Sequence, residues 1–178
     1  MEVKAEKLTD GRDGLKFVVT GRSVGLLDKV YPVNDSVESI FDPLTRESLS
    51  YSLRESYGGK KRRRELTFDR ARNIVVSRLN EDLAETLAVP EHAQDGLSML
   101  YYLRTREDFV VGRTFTIEVH DSGKNWSVEV HTLGRERLKT PMGGYSGHVA
   151  HPRKRVSAGH GDCTVSGRLA SSLIWFFA

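Results

Sequence analysis

Alternation of apolar and polar positions dominates the chain. It is sharpest where Phe115, Ile117 and Val119 alternate with polar residues, then Asp121-Ser122-Gly123-Lys124, then Trp126, Val128 and Val130. A period of two sends successive side chains to opposite faces of a strand, and Asp-Ser-Gly is turn chemistry. The pattern predicts a hairpin with Val119 on Trp126, Ile117 on Val128 and Phe115 on Val130. Those six share one face, while Thr116, Glu118, Ser127 and Glu129 take the other. One face is then buried and one wet, as in antiparallel sheet.

The rest of the chain reads mostly as strand. Residues 15–20 are rich in β-branched and aromatic residues between Gly14 and Gly21. Residues 26–33 form a second candidate closed by Pro32, and 36–41 a third stopped by Asp42-Pro43. Leu49, Tyr51, Leu53 and Tyr57 mark a fourth. Gly58-Gly59 supplies a tight turn in which positive φ costs nothing, and 61–69 returns. Pairing around that turn sets Tyr51 opposite Leu66, Leu49 opposite Phe68 and Glu55 opposite Arg62. Residues 73–76 give a further short strand, and 145–149 another after the turn Pro141-Met142-Gly143-Gly144; Gly134 interrupts the pattern between them. The stretch 84–93 is ambiguous, with Pro90 ending any element there. One segment changes period: from Asp95 to Arg104, Leu97, Leu100 and Tyr101 follow helical spacing, and Gln94 and Asp95 can cap the start.

Composition narrows the functional classes. At 178 residues, 38% hydrophobic and 29% charged, the chain has the makeup of one globular domain with a real core. The net charge of +3 permits acidic partners without demanding them. The single cysteine, Cys163, excludes an internal disulfide framework and a thiolate-built metal site. No apolar run approaches the roughly 18 residues of a membrane-spanning helix. Residues 1–7 lack the apolar core of a signal peptide, so the chain by itself is expected in the cytoplasm.

Several motifs, in order, carry a family resemblance. Gln94-Asp95-Gly96-Leu97-Ser98 followed by Tyr101-Tyr102-Leu103-Arg104 resembles the helical signature of domain-of-unknown-function family 3108, a group of bacterial and usually exported proteins. Tyr31-Pro32-Val33 with Glu38-Ser39, Phe68-Asp69, Gly112, Thr140-Pro141-Met142-Gly143-Gly144-Tyr145 and the segment from Gly167 to Trp175 agree in sequence. The resemblance spans about residues 20 to 175. It implies a bent antiparallel sheet or open barrel with a helix at one side, and a periplasmic or envelope location. It brings no catalytic residues. Relatives carry an export signal, an opening strand and closing strands that this chain does not match. Both ends therefore read as trimmed, leaving sheet edges open to self-association. The apolar end around 173–177 is expected to be completed by a neighbour or to be a sticky tail.

Candidate chemistry is sparse. Lys60, Lys61, Arg62, Arg63 and Arg64 could meet nucleic acid, but on a strand they alternate between faces, so a solvated hairpin tip is the plainer reading. His148, His151 and His160 lie near Asp162 and Cys163. Zinc needs three or four converging ligands, and no tight ligand pair is visible, so no metal and no cofactor are expected. His120 and His131, at the ends of the central hairpin, read as surface histidines. Ser98 lacks a G-x-S-x-G context, Cys163 with His160 lacks the usual arrangement, Glu136 and Asp69 have no visible partner, and Gly143-Gly144 is a turn. Enzyme activity is not expected. Tyr101, Tyr102, Arg104 and Arg106 remain. They either plug the sheet or, with Tyr102 and Arg104 at its mouth, line an apolar cleft for a lipid or glycan; Arg104 has Asp108 at i,i+4 as a partner.

The sequence thus predicts one mostly β domain, a curved antiparallel sheet or incomplete barrel with one short helix. The expected role is a non-enzymatic envelope protein that binds a hydrophobic or glycan ligand or acts as a scaffold. A basic nucleic-acid-binding module built on Lys60–Arg64 is the alternative.

Overall fold

In the computed structural model, residues 2–26, 29, 31–106, 109–140, 143–156 and 174–177 are described, the last two stretches mainly through their backbone. The chain divides into two compact units, Met1–Ser98 and Met99–Ala178.

The first unit is a seven-stranded antiparallel sheet in which every strand pairs with its sequence neighbours. Its strands are β1 (Glu2–Lys7), β2 (Asp13–Arg22), β3 (Asn34–Asp42), β4 (Glu47–Tyr57), β5 (Lys60–Asp69), β6 (Ile74–Leu79) and β7 (Glu85–Ala88). The sheet is not closed into a barrel. The expected strands at 15–20 and 36–41 form, the one expected at 73–76 begins at Ile74 and runs to Leu79, and the ambiguous 84–93 contributes β7 before Pro90. One face carries the core: Leu66, Phe68, Val75, Val89 and Ala93, with Tyr51 and Leu87 packed against them. Phe17 and Phe41 are fully buried further along, their rings 6.0 Å apart.

The β4–β5 turn is specified twice. Gly58 and Gly59 have φ of 53° and 79°, the two positive values of a type I′ turn. A Cβ on Gly58 would also stand 2.7 Å from the Tyr31 ring. Tyr51 faces Leu66 and Glu55 faces Arg62 as predicted. The expected Leu49–Phe68 pair is not in the ladder, which starts at Ser50 and Thr67. Leu49 is instead the extra residue of a bulge, because Ile40 pairs with Ser50 but Phe41 with Ser48.

The described residues of 26–33 do not form the expected strand. Leu26 has helical backbone and is 81% exposed. Val33 forms an isolated bridge to Tyr57, and Leu27, Asp28 and Val30 lie outside the described residues. Apolar residues closed by Pro32 supplied that expectation, but among the described residues the pairing of this segment is limited to the Val33 bridge and the Gly58 N–H on the Pro32 carbonyl.

The second unit holds the helix α1 (Ser98–Arg104, whose first residue belongs to the first unit) and a four-stranded antiparallel sheet in the order β11-β10-β9-β8. These strands are β8 (Thr114–Asp121), β9 (Lys124–Thr140), β10 (Gly143–Val156) and β11 (Ile174–Phe177). The β8–β9 register is the predicted one. Ile117, Val119, Val128 and Val130 are buried with Leu103, Phe109 and Ala150, while Met99, Tyr102, Phe115 and Trp126 pack around them. The helical face that meets this core is Met99, Tyr102 and Leu103, not Leu97, Leu100 and Tyr101. The helix begins only at Ser98, which places Leu97 in the turn before it. Residues 174–177 form the edge strand β11 and pair on one side with Gly147–Ala150 of the same chain. The turn at Pro141-Met142 lies outside the described residues.

The β3–β4 corner is fixed by Asp42, whose carboxylate accepts the Leu44 N–H at 2.9 Å and pairs with Arg12 at 2.7 Å. Burial pushes the Asp42 carboxyl up, but the Leu44 and Thr45 N–H groups and the Arg12 guanidinium outweigh it and hold its pKa below the ordinary value. A depressed folded pKa adds stability that is fully present above the unfolded value of about 3.9 and is lost as pH falls through the folded one. Asp42→Asn is therefore expected to lose less stability than the parent between pH 5 and its acid midpoint, read by circular dichroism. In the second core, Ile117→Ala is expected to cost about 2–5 kcal/mol in urea unfolding. Thr116→Ala, on the opposite face, is expected to stay within about 0.5 kcal/mol.

Candidate functional site

The densest polar cluster lies in the first unit around Asp95, which is fully buried with Gln94, Ser98, Ser39 and Ser48. The β4 bulge creates it. Without that extra residue Ser48 would oppose Asp42 and face away from Ser39. With it, Ser48 opposes Phe41 and joins Ser39 on the core face. Both hydroxyls then donate to Asp95 Oδ2, Ser39 at 2.7 Å and Ser48 at 2.5 Å. Asp95 Oδ1 accepts the N–H groups of Leu97 at 2.7 Å and Ser98 at 2.9 Å. Ser98 Oγ accepts the Asp95 N–H at 3.0 Å and donates to Gln94 Oε1 at 3.1 Å. This reciprocal arrangement is a capping box with Asp in the leading position. Gln94 Nε2 donates to the carbonyls of Arg46 and His92.

Arg70 ties the same layer from the other side. Its guanidinium donates to the carbonyls of Ser48 and Ala93, the latter at 2.7 Å, and lies 4.3 Å from the centre of the Phe68 ring. Burial pushes the Arg70 pKa down, and the Glu47 and Asp95 carboxylates oppose that. An arginine stays charged regardless, so Arg70 supplies positive charge near the buried carboxylate.

The helix residues singled out in sequence are placed as follows. Tyr102 packs against the second core, Tyr101 is half-buried and Arg104 is exposed. The cation that reaches Tyr102 is Arg106, which donates to the Tyr102 hydroxyl at 3.1 Å. Its guanidinium carbon stands 4.4 Å from the centre of the Phe115 ring, a cation–π distance. Phe109 meets Phe115 edge-on at 5.1 Å. Tyr102, Arg106, Phe109 and Phe115 thus form an aromatic rim with one cation across it. Asp108 lies outside the described residues.

The basic run is dispersed. Lys61 and Arg63 are exposed on one face of β5, while Lys60, Arg62 and Arg64 share the other, with Lys60 exposed and the two arginines half-buried. Arg62 is 3.8 Å from Glu55, and Arg63 is paired with Glu65. Five charges on two faces, two of them engaged by carboxylates, do not favour the nucleic-acid reading.

The histidine expectations change. His120 is not a surface residue: it is 1% exposed, with Nδ1 2.8 Å from Asn125 Oδ1. The polar face of the β8–β9 hairpin is covered at its turn end, which alternation cannot reveal. His131 is half-buried, with Nδ1 2.8 Å from Thr114 Oγ1. His160, Asp162 and Cys163 lie outside the described residues, as do the side chains of His148 and His151. Among the described residues no three His, Cys, Asp or Glu side chains converge as metal ligands, and no helix is long and apolar enough to cross a membrane.

Mostly antiparallel strands in an open meander, with one short helix, place the fold in the β-barrel-like class. A solved structure of that kind, a "beta-barrel-like protein of domain of unknown function DUF1849 from Brucella abortus", matches with a TM-score of 0.50 at 10% identity. The match covers 80% of this chain and 63% of that one, and at such identity it bears on the fold alone. No curated protein matches the sequence. The chain belongs to the family described as "Protein of unknown function (DUF3108)", matched over residues 1–175. The match takes in β1 and β2 as well as the region from residue 20 onward.

Asp95→Ala would leave two hydroxyls and two N–H groups without their acceptor. It is expected to cost more than about 3 kcal/mol in urea unfolding. Ser48→Ala, which removes one hydrogen bond to a charged group, is expected to cost about 1.5–3 kcal/mol.

Proposed function

We propose that this protein works at the bacterial cell envelope as a non-enzymatic binding protein for an amphipathic ligand. The ligand's apolar body would lie against the aromatic rim of the second unit, and its acidic or polyhydroxyl head would meet Arg106. The observation that carries this reading is Arg106 held between the Tyr102 hydroxyl and the Phe115 ring. A guanidinium beside aromatic faces offers a charge, hydrogen-bond donors and apolar area together. Clefts where a helix meets a sheet are frequent ligand sites. The non-enzymatic part is supported by Asp95, whose two oxygens are occupied by donors of its own chain. The envelope location is supported by membership of a family whose members are usually exported.

Native mass spectrometry of gently purified protein, at low and moderate salt, tests the reading. A co-purifying lipid or sugar adduct is expected to persist as salt rises. Arg106→Gln is expected to weaken rebinding of that adduct at least tenfold, with Thr116→Ala unchanged. A bare, cooperatively folded protein that takes up neither a long-chain fatty acid nor an oligosaccharide would overturn ligand binding. It would leave scaffolding as the role.

A further inference from the structure

The first sheet is an antiparallel meander, so its connections alternate between two ends. The links β2–β3, β4–β5 and β6–β7 fall at one end, and the link β3–β4 falls at the other. Contacts tie the first two of these links together. Val33 bridges Tyr57, and the Gly58 N–H donates to the Pro32 carbonyl at 3.3 Å. The Tyr31 ring covers Gly58, where a Cβ would stand 2.7 Å from it. The Ser23 hydroxyl accepts the Val33 N–H at 2.9 Å, which joins the two ends of the β2–β3 link.

Apolar side chains stand in water at this end. Val24 is 78% exposed, Leu26 81% and Tyr31 50%. Cations flank them. Arg22 closes β2 and donates through Nε to Asn34 Oδ1 at 3.2 Å. Lys60 and Lys61 open β5 directly after the Gly58-Gly59 turn that Tyr31 covers. All three cations are exposed. The two lysines leave the strand on opposite faces, yet both stand at the tip beside one turn. Arg62 and Arg63, further along β5, face Glu55 and Glu65. The β6–β7 link adds Leu83, 93% exposed, together with the exposed carboxylates Glu81 and Asp82. The positive side of this end therefore lies over β2–β5. Exposed apolar groups gathered in one place mark a contact surface.

We propose that this end of the first sheet docks on an anionic lipid surface. Val24, Leu26 and Tyr31 enter the boundary between headgroups and acyl chains, while Arg22, Lys60 and Lys61 meet the lipid phosphates. Interfacial binding grows with the apolar area buried and with the attraction of anionic lipid for basic side chains. A tyrosine suits that boundary, since its ring is apolar and its hydroxyl stays wet. A nucleic acid would engage the cations but leave Val24 and Leu26 in water. Glu81 and Asp82 are repelled by the same phosphates, so the contact tilts toward the β2–β5 side. Docking by the tip also removes the objection that the basic run alternates between faces. The contact uses residues of the first unit alone and is independent of ligand binding by the second.

The test is co-sedimentation of the full chain with vesicles of equal parts phosphatidylglycerol and phosphatidylethanolamine, and with phosphatidylcholine vesicles, each variant being checked for folding by circular dichroism. Binding to the anionic vesicles alone is expected, weakening as salt rises. Lys60→Gln/Lys61→Gln is expected to lower partitioning at least tenfold, and Val24→Ser/Leu26→Ser by a similar factor. Leu44, 76% exposed in the β3–β4 link at the opposite end, is the control: Leu44→Ser is expected to bind like the parent. Failure of the parent to bind anionic vesicles would overturn the proposal. So would a loss in Leu44→Ser equal to that in Val24→Ser/Leu26→Ser, the sign of general stickiness. Binding of a duplex oligonucleotide that is lost in the lysine variant but kept in Val24→Ser/Leu26→Ser, without vesicle binding, would overturn it in favour of nucleic acid.

Discussion

A buried carboxylate must find partners for its lone pairs, and in the first unit that requirement organises the chain around it. Asp95 is shut off from water and meets the requirement with two serine hydroxyls from strands β3 and β4 and two N–H groups of its own turn. Each partner is constrained in return. Ser48 faces inward only because β4 carries a bulge, and the loop bearing Asp95 is held by Gln94 and Arg70 on backbone carbonyls. The desolvation of an unpaired carboxylate would be severe. The network therefore works as a whole, since a half-satisfied set is worse than an apolar core.

The strands were legible where local pattern and burial coincide. The run from Phe115 to Val130 gave its turn and register, because a period of two, a Ser-Gly turn and one buried face all agree; it did not give the end of β9, which runs on through Gly134 to Thr140. The same reasoning erred at 26–33, where the described residues offer a single bridge at Val33 rather than a strand. It also misplaced Leu49, since alternation cannot see an inserted residue. The family motif around Asp95 was visible as a cap. Its hydrogen bonds to Ser39 and Ser48 were not, because nothing local links positions 47 and 56 residues away.

The candidate sites show the same division. Tyr102 was identified from the helix, but the cation beside it is Arg106 rather than Arg104, because Arg104 lies on the exposed side of the helix. The histidines were weighed by spacing along the chain, whereas strand pairing sets their register neighbours. His131 stands among Thr114, Glu129 and the register position of His151 for that reason. His120 was misjudged because burial of a polar face depends on what covers it, not on the strand's own pattern.

The sequence distances in the Asp95 network have a consequence for time rather than stability. The seven-stranded sheet grows by hairpins between neighbours in the chain, each closing a short loop at small entropic cost. The aspartate can be enclosed only after β3 and β4 have paired in their bulged register and the chain has continued for more than forty further residues. Contacts of that span are made late. Interactions absent from the folding transition state chiefly slow the reverse reaction. The buried carboxylate is thus a latch that closes last, setting how long the folded molecule survives more than how fast it forms.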